Sequence, residues 1–507
     1  MSSSKELFKL IQSLSKTEKA YFKKQSSFGT GKTDKGYLKL FDVIANMNEY
    51  DEAMVVKKIK NSAFAGYLPT AKNQLFHSIL KALRGYYVSG SIDLQLQEIL
   101  QEVELLHNKA LMESGLRIIA KGKKLALERE RFVFYLQFLD WEQRIISSIN
   151  AITNTHKYLY EKSLKENYRA IRLCTNLLEN REMSHEVVSN VLRTNSFHTD
   201  EKQQIVKAVL ARNHVNELSA RAKIILLMTQ KYIYDRLNEP QKGYETLTAL
   251  NKIYEDHAFL QKDQQQRYFN SLYQTALKAL EIHEFSIAAD LIQKAENVVA
   301  GLSNDMVYLK TRFKSHVNNL VLSNYIVSGS VPEKSIEINK IETGMPLLKK
   351  NFNELWIHTI NLISYSQFTS GDYKKARKNY YDLINETESK LSETNLFKLK
   401  LLLIIAHYEL NDTDLMEHSI KSFLKSLSKK EGDFSFELQL LGFLKGLIGR
   451  ESKSEKTDHF KKFGQSALIC GLNIKPMEFN YPVWIESKIK HVTMNEVFKE
   501  NKNRLSK

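Results

Sequence analysis

The sequence predicts an all-α protein, namely an α-solenoid of helical pairs preceded by an N-terminal helical domain. One observation is composition: the 507 residues include only 6 Pro and 19 Gly, whereas β-sandwiches, barrels and open α/β sheets need these residues at their frequent turns. A second is that apolar residues recur at the spacing of amphipathic helices in segments spread over the whole chain. A third is a helical-pair pattern that returns every 41 to 47 residues. Long helices with few turns explain all three observations.

Residues 1–90 are predicted to form a compact helical domain. Ser-x-x-Glu sequences begin at Ser3 and Ser15 and have the form of a capping box, in which hydroxyl and carboxylate bind free backbone amides at a helix start. Apolar spacing supports further helices in the same domain. The predicted helices cover residues 4–13, 16–25, 37–44, 52–60 and 70–87.

The N-terminal domain is also basic. It holds 15 Lys and Arg against 7 Asp and Glu, an excess that is half of the +16 formal charge of the chain. Such asymmetry is typical of surfaces that bind nucleic acid or an acidic partner, although a solvated basic face is the simpler interpretation. A helix-turn-helix interpretation meets the difficulty that residues 61–69 make a longer turn than this motif uses. The candidate phosphate contacts are Lys57, Lys58, Lys60, Lys72, Lys81 and Arg84.

Two segments carry the clearest repeat. In residues 268–296, small residues stand where two helices would touch and an aromatic residue opens the second helix, namely Ala276, Ala288, Ala295 and Phe285. A second unit around Gly371 fills the corresponding positions with Ser364, Tyr373, Ala376 and Tyr380. These residues resemble the tetratricopeptide (TPR) repeat. The resemblance implies a right-handed solenoid of TPR-like helical pairs, with longer helices or loops than the strict repeat of 34 residues has.

The domain organisation follows from the repeat and from the stretches that depart from it. Heptad spacing at Leu164, Tyr168, Ile171 and Leu178 predicts a long helical hairpin, which is either a projecting arm or two ordinary repeat helices. At the C-terminus, Pro482 suits a first helical position and a capping box begins at Thr493. We therefore expect a basic N-terminal domain over 1–90, first TPR-like pairs over 91–150, the hairpin over 151–220, a TPR-like array over 221–465 and capping helices over 466–507.

The whole chain is also similar to a group of uncharacterised bacterial helical-repeat proteins of about this size. The similarity extends from the Leu-Ser-Lys-Thr-Glu-Lys sequence that opens at Leu14 to the Trp-Ile-Glu-Ser-Lys-Ile sequence that opens at Trp484. It implies a fold and no particular activity.

Catalytic and cofactor motifs have no support in the sequence, so we expect a protein that is not an enzyme and that carries no cofactor and no metal. The Glu-x-x-His pairs that begin at Glu104 and Glu182 are explained as surface or satisfied polar residues. Cys174 and Cys470 form neither a disulfide framework nor a Cys-x-x-Cys pair. Reduced cysteines and the lack of a targeting or membrane-spanning segment predict a cytoplasmic protein.

A candidate binding groove follows from the repeat register. If the pairs stack, the first helices line a concave surface, and the inward positions lie six before, three before and one after the small residues Ala276, Ser364 and Ala406. The polar and aromatic members of this set are Asn270, Tyr273, His358, Asn361, Tyr365, Lys400 and His407. A hydrated groove without a ligand explains the pattern equally well.

The sequence therefore favours a non-catalytic interaction scaffold or adaptor that binds a protein or peptide partner on a concave face, because stacked pairs create a long surface without a pocket. The alternative is a nucleic-acid-associated regulator that contacts DNA or RNA through residues 1–90.

Overall fold

The structure is a computed structural model of the chain. It describes residues 3–27, 32–47, 49–59, 67–148, 154–192, 200–212, 219–303, 306–330, 341–388, 391–428, 434–450, 452–472 and 474–505. Within these ranges the protein is all-helical and contains no strand. The chain forms two compact units, of which the first comprises Met1–Glu182 with Asn216–Ala222 and the second comprises Met183–Val215 with Lys223–Lys507.

The first unit contains two hydrophobic cores. One lies among the N-terminal helices and includes Leu7, Phe41 and Leu75; the other begins at Leu96 and ends at Ala170. The helices are α1 (Ser3–Ser13), α2 (Lys16–Ser27), α3 (Lys32–Ala45), α4 (Glu52–Ile59), α5 (Leu68–Tyr87), α6 (Ile92–Asn108), α7 (Met112–Glu128), α8 (Phe132–Ser148) and α9 (Asn154–Glu186), whose last residues belong to the second unit.

The second unit consists of helices that pack in neighbouring pairs, a repeat-like architecture that fits an α-solenoid. These helices are α10 (Asp200–Leu210), α11 (Ala220–Arg236), α12 (Pro240–Asp256), α13 (Ala258–Asp263), α14 (Gln265–Glu281), α15 (Phe285–Ala300), α16 (Val307–Ser328), α17 (Met345–Asn351), α18 (Asn353–Thr369), α19 (Tyr373–Thr387), α20 (Glu393–Glu409), α21 (Thr413–Leu427), α22 (Ser435–Leu447), α23 (Lys453–Gly464), α24 (Ala467–Cys470), α25 (Tyr481–Lys490) and α26 (Met494–Leu505).

Local sequence signals account for several helix starts. At the start of α2 the Ser15 amide donates to Glu18 Oε2 at 2.6 Å, and the Glu18 amide donates to Ser15 Oγ at 3.2 Å. The same reciprocal pair joins Thr493 and Glu496 at the start of α26. These two capping boxes are confirmed, and each satisfies amides that have no partner inside the helix.

Seven helix-to-helix turns of the described residues share one backbone geometry. Each has a residue with φ between 52° and 89°, namely Ala110, Glu130, Asn238, His283, Gly371, Asn411 and His491. The next amide donates to the carbonyl five residues earlier at 2.7–3.0 Å, as in a Schellman motif. Glycine usually occupies such left-handed positions, yet Gly371 is the sole glycine among these seven. The scarcity of glycine therefore extends to the turns themselves.

Replacing Ala110 with glycine is expected to raise the free energy of unfolding by up to about 1 kcal/mol, because the left-handed conformation is strained for alanine. Ala120 is the matched control: it is exposed in the interior of α7, where a change to glycine should lower stability by about 1 kcal/mol. Urea unfolding of both variants shows whether each change raises or lowers the free energy of unfolding. Equal destabilisation by both substitutions would contradict the account of this turn.

The small repeat positions identified in the sequence are buried, whereas the aromatic positions Phe285 and Tyr373 are partly buried. Ala276, Ala288, Ala295 and Ala376 each have no solvent-exposed surface, and α14 packs against α15 and α16. Phe269 of α14 stacks on Phe313 of α16, with ring centroids 3.8 Å apart. Small residues let paired helices approach closely, while aromatic residues fill the space between successive pairs.

The segment predicted as a long hairpin has one long helix and one short one. α9 has 33 residues, whereas α10 has 11. The heptad residues Leu164, Tyr168, Ile171 and Leu178 are exposed.

The C-terminal helices do not lie solely at the end of the array, where capping helices were expected. α25 packs against α23, and α26 packs against α25 and against α16 in the middle of the unit. The last helix approaches Gly329, at the end of α16, so closely that a Cβ atom there would lie 2.4 Å from the Lys499 amide nitrogen. The chain thus returns towards its own earlier repeats.

Candidate functional site

The return of the chain brings a short irregular segment onto the first helices of the pairs. We call Ile474–Asn480 the 474–480 segment. Pro476 stands at the second position of a β-turn that the Glu478 amide closes with the Lys475 carbonyl at 2.9 Å. Glu478 Oε1 also lies 3.1 Å from Nζ of Lys398 on α20.

Met477 contacts two of the predicted groove residues at once. Its Sδ lies 3.7 Å from Tyr273 Oη of α14 and 3.3 Å from His358 Nε2 of α18. The ring of His316, on α16, meets the Tyr273 ring edge-on with centroids 5.0 Å apart. A thioether is polarisable and packs well against aromatic rings, so Tyr273 and His358 form a slot for an unbranched apolar side chain, with His316 packed against the Tyr273 ring.

Phe479 fills a second slot formed by α18. Its ring centroid lies 5.2 Å from that of Tyr365 and 5.3 Å from that of Phe368. Tyr365 Oη accepts a hydrogen bond from the Asn480 amide at 3.0 Å. Tyr365 is 2% exposed, and burial raises the pKa of its phenol. These contacts and the Met477 contacts define a first-helix face on α14, α16, α18 and α20.

The helix after the segment is firmly anchored. Trp484 is fully buried, and its Nε1 donates to Glu409 Oε1 at 2.7 Å. Lys488 Nζ donates to the other oxygen of the same carboxylate at 2.5 Å. The Glu409 side chain is 5% exposed, so this carboxylate has a cation and an indole donor in a nearly water-free position.

The structure brings together only some of the predicted groove residues. Tyr273, His358, Asn361 and Tyr365 lie at or beside the 474–480 segment. The expectation that Tyr365 is presented to an external partner is wrong for the closed chain, because Phe479 and Asn480 cover it.

Three other members of the set lie elsewhere. Lys400 forms an ion pair with Glu388 at 3.0 Å, and Asn270 is exposed on α14 without a contact to the segment among the described residues. His407 is 7% exposed, so it faces the interior and not a groove. The register counted from Ala406 pointed to Lys400, so the sequence analysis missed Lys398 on the same helix. It also missed Phe368.

An open cleft of about 340 Å³ adjoins the segment between α18 and α20. Asn361 Oδ1 points into buried space and has no hydrogen-bond partner within the described ranges. The lining residues that carry polar groups are Glu354, His358, Asn361, Ser392, Asn395 and Lys398.

Two partly buried histidines are expected to make this unit sensitive to acid. Burial lowers the pKa of His316 to about 4, with the positive charges of Arg312 and His358 adding to the effect, and burial also lowers the pKa of His358. The unfolded chain therefore binds more protons than the folded chain between about pH 4 and 6.5. Stability is then complete above pH 6.5 and decreases as the pH falls through this window.

The His316→Phe variant is expected to lose stability less steeply than the native protein between pH 6.5 and 4, because phenylalanine keeps the ring contact with Tyr273 and has no proton to gain. Urea unfolding at several pH values measures the two slopes. Parallel slopes would exclude His316 as a source of the acid sensitivity. His418→Phe is the matched control, since His418 is exposed.

The basic candidates in the N-terminal domain also differ in their exposure to solvent. Lys57 and Lys58 on α4 and Lys81 and Arg84 on α5 are exposed, while Lys60 lies outside the described residues. The prediction that Lys72 contacts phosphate is wrong. This lysine is 2% exposed, and its Nζ lies 2.5 Å from Glu52 Oε1 and 2.7 Å from Tyr50 Oη. The sequence pattern could not distinguish this internal ion pair from a phosphate contact, because Glu52 lies twenty residues away.

Known proteins provide no assignment for this site. No protein family, no curated protein and no solved structure matches the chain. Among the described residues, no group of three or more His, Cys, Asp or Glu side chains is arranged to hold a metal ion. None of the helices in the same part of the chain combines the length and the apolar character that a bilayer crossing requires.

Proposed function

We propose that this protein is a non-catalytic interaction scaffold that holds a peptide segment of a partner protein on its first-helix face. The observation that supports the proposal is the 474–480 segment itself. Irregular chain rests on α14, α18 and α20 through a slot for an apolar side chain, a slot for an aromatic ring and a lysine for an acid. Such anchors with a polar rim are what peptide-binding surfaces use.

The cleft beside the segment supplies additional contact area for such a partner. Asn361 lines this cleft, and amide side chains commonly fix the backbone of a bound peptide. Asn395 and Ser392 are exposed at the rim of the cleft. A partner segment that leaves the first-helix face would thus find hydrogen-bonding groups along its path.

Site-specific cross-linking tests the proposal. A photoreactive amino acid at Asn395, on the rim of the cleft, should capture a partner protein in cells, whereas the same group at Lys378, exposed on the second helix α19, should not. The captured protein, once purified, should bind the Asn361→Arg variant at least about tenfold more weakly than the native protein. Equal capture from both positions, or unchanged affinity for this variant at unchanged melting temperature, would exclude the first-helix face.

Nucleic-acid binding by the N-terminal domain is the second candidate. The observation that favours it is the exposure of Lys57, Lys58, Lys81 and Arg84 on α4 and α5. Neutralised phosphates release counterions, so binding through such residues weakens steeply with salt.

Anisotropy titrations of labelled DNA and RNA with the full chain test this candidate. Changing these four residues to glutamate should reduce the slope of log affinity against log salt by about 3 to 4. A control with the same charge change uses Lys374, Lys378, Lys425 and Lys453, which are exposed in the second unit. If both quadruple variants have the native slope, or no binding occurs at low salt, the candidate is excluded.

A further inference from the structure

The 474–480 segment is attached to the first-helix face mainly by side chains. Its Glu478 amide bonds to the Lys475 carbonyl, and its Lys475 amide bonds to the Glu478 carboxylate at 3.4 Å. Both bonds lie inside the turn, so the turn keeps them when it leaves the face. Among the described residues, the Asn480 amide is the one backbone group of the segment that bonds to the face, at Tyr365.

The side-chain contacts differ in strength. Phe479 is 7% exposed and Met477 is half-buried, so these two side chains account for most of the apolar area that release would expose to water. The Lys398–Glu478 ion pair is exposed on both sides, with 53% and 43% of the side-chain surface accessible. Such pairs contribute little to affinity, but a lysine at this point orients an acidic residue between two apolar ones.

Space surrounds the segment on two sides. The cleft between α18 and α20 adjoins His358 and Lys398. A second cavity, of about 460 Å³, lies on the other side and is lined by Pro476, Glu478 and Asn480 together with Leu280 and Phe285. Release of the segment would therefore disturb close packing mainly around Phe479, which belongs to the hydrophobic core of this unit.

We infer that the 474–480 segment is an internal ligand, and that the partner of the proposed scaffold displaces it with a segment of the same chemistry. That chemistry is a proline-initiated turn that presents an unbranched apolar residue, an acidic residue and phenylalanine in this order, as Pro476 to Phe479 do. The inference rests on the proposed function. It adds the nature of the partner peptide and an autoinhibitory contact that the partner must break.

A peptide with the sequence of residues 472–482 is the probe, labelled at its N-terminus and titrated into the full chain. The release variant carries Met477→Ser and Phe479→Ser, which empties both slots and leaves Trp484 and Glu409 in place. It should bind the peptide at least about tenfold more tightly than the native chain, because the native face is free only in a small fraction of molecules. A peptide with the same two serines should bind neither protein.

A charge exchange tests the register. In the release variant, Lys398→Glu should lower the affinity for the peptide. A peptide with lysine in place of the residue equivalent to Glu478 should restore this affinity. Hydrogen exchange of 481–490 reports whether α25 stays docked. If the release variant does not fold, the single variant Glu478→Lys replaces it, because Glu478 is exposed. This change removes the ion pair with Lys398 and should raise the affinity for the peptide about threefold.

Equal peptide affinity for native and release proteins, or no binding to either, would overturn the internal-ligand inference. The outcome is separate from that of the proposed function. A cross-linked partner that binds native and release proteins equally well, and the Asn361→Arg variant poorly, would preserve the scaffold and remove the displacement.

Discussion

Replacing Trp484 with alanine is expected to lower the free energy of unfolding of the second unit by about 3–5 kcal/mol. The indole is fully buried and packs edge-on against Phe460, with centroids 5.4 Å apart. Its loss leaves a cavity and removes the indole donor that the nearly buried Glu409 carboxylate receives. Urea unfolding followed by the fluorescence of Trp356, which lies in the same unit, measures the change.

Trp484→Phe separates the two contributions to this loss. It removes the Nε1 donor but keeps an aromatic ring, smaller than the indole, in the cavity, so the expected cost is smaller, about 1–3 kcal/mol. Equal costs for the two variants would show that the Glu409 hydrogen bond, and not packing, holds α25. A cost below about 1 kcal/mol for alanine would contradict the burial of this helix against the array.

Gly329→Ala is expected to detach α26 from α16, at a cost of about 3 kcal/mol. Gly329 has φ of 63°, in the left-handed region that alanine tolerates poorly. A Cβ atom there would also lie 2.4 Å from the Lys499 nitrogen and 2.8 Å from the Asn495 oxygen. Both atoms are backbone atoms of a helix, so relief requires movement of the helix itself.

Hydrogen exchange of residues 494–505 measures this detachment, which should make their amides exchange faster than in the native protein. Gly442→Ala is the matched control, because a Cβ atom on this helical glycine would meet no atom within 4 Å. That change should leave exchange in α26 unaltered and raise stability by about 0.5–1 kcal/mol. Native exchange rates in Gly329→Ala would contradict the close approach of α26.

Features that depend on neighbouring residues could be predicted from the sequence. The capping boxes at Ser15 and Thr493 need only four consecutive residues, and the small positions Ala276 and Ala288 follow from helical spacing within one pair. Each of these signals is local, so the interactions that it describes do not depend on the fold of the rest of the chain.

Features that depend on distant residues could not be predicted in this way. The Tyr273–Met477 contact joins residues 204 positions apart, and spacing within α14 cannot show which segment will cover its tyrosine. The same holds for Lys72 in the N-terminal domain. A lysine on a helix is normally solvated, and Lys72 is buried because it pairs with Glu52 on another helix. The register selected Tyr273, His358 and Tyr365, whereas tertiary contacts determine which segment covers them.

The distance along the chain between the first-helix face and its occupant also has a consequence for biosynthesis. A chain made from its N-terminus completes α14 and α18 long before Met477, Phe479 and α25 leave the ribosome. Until then the side chains of Tyr273, His358 and Tyr365 lack the segment that covers them in the folded protein. In a newly made chain the first-helix face is therefore uncovered first and covered by the chain's own C-terminal segment last.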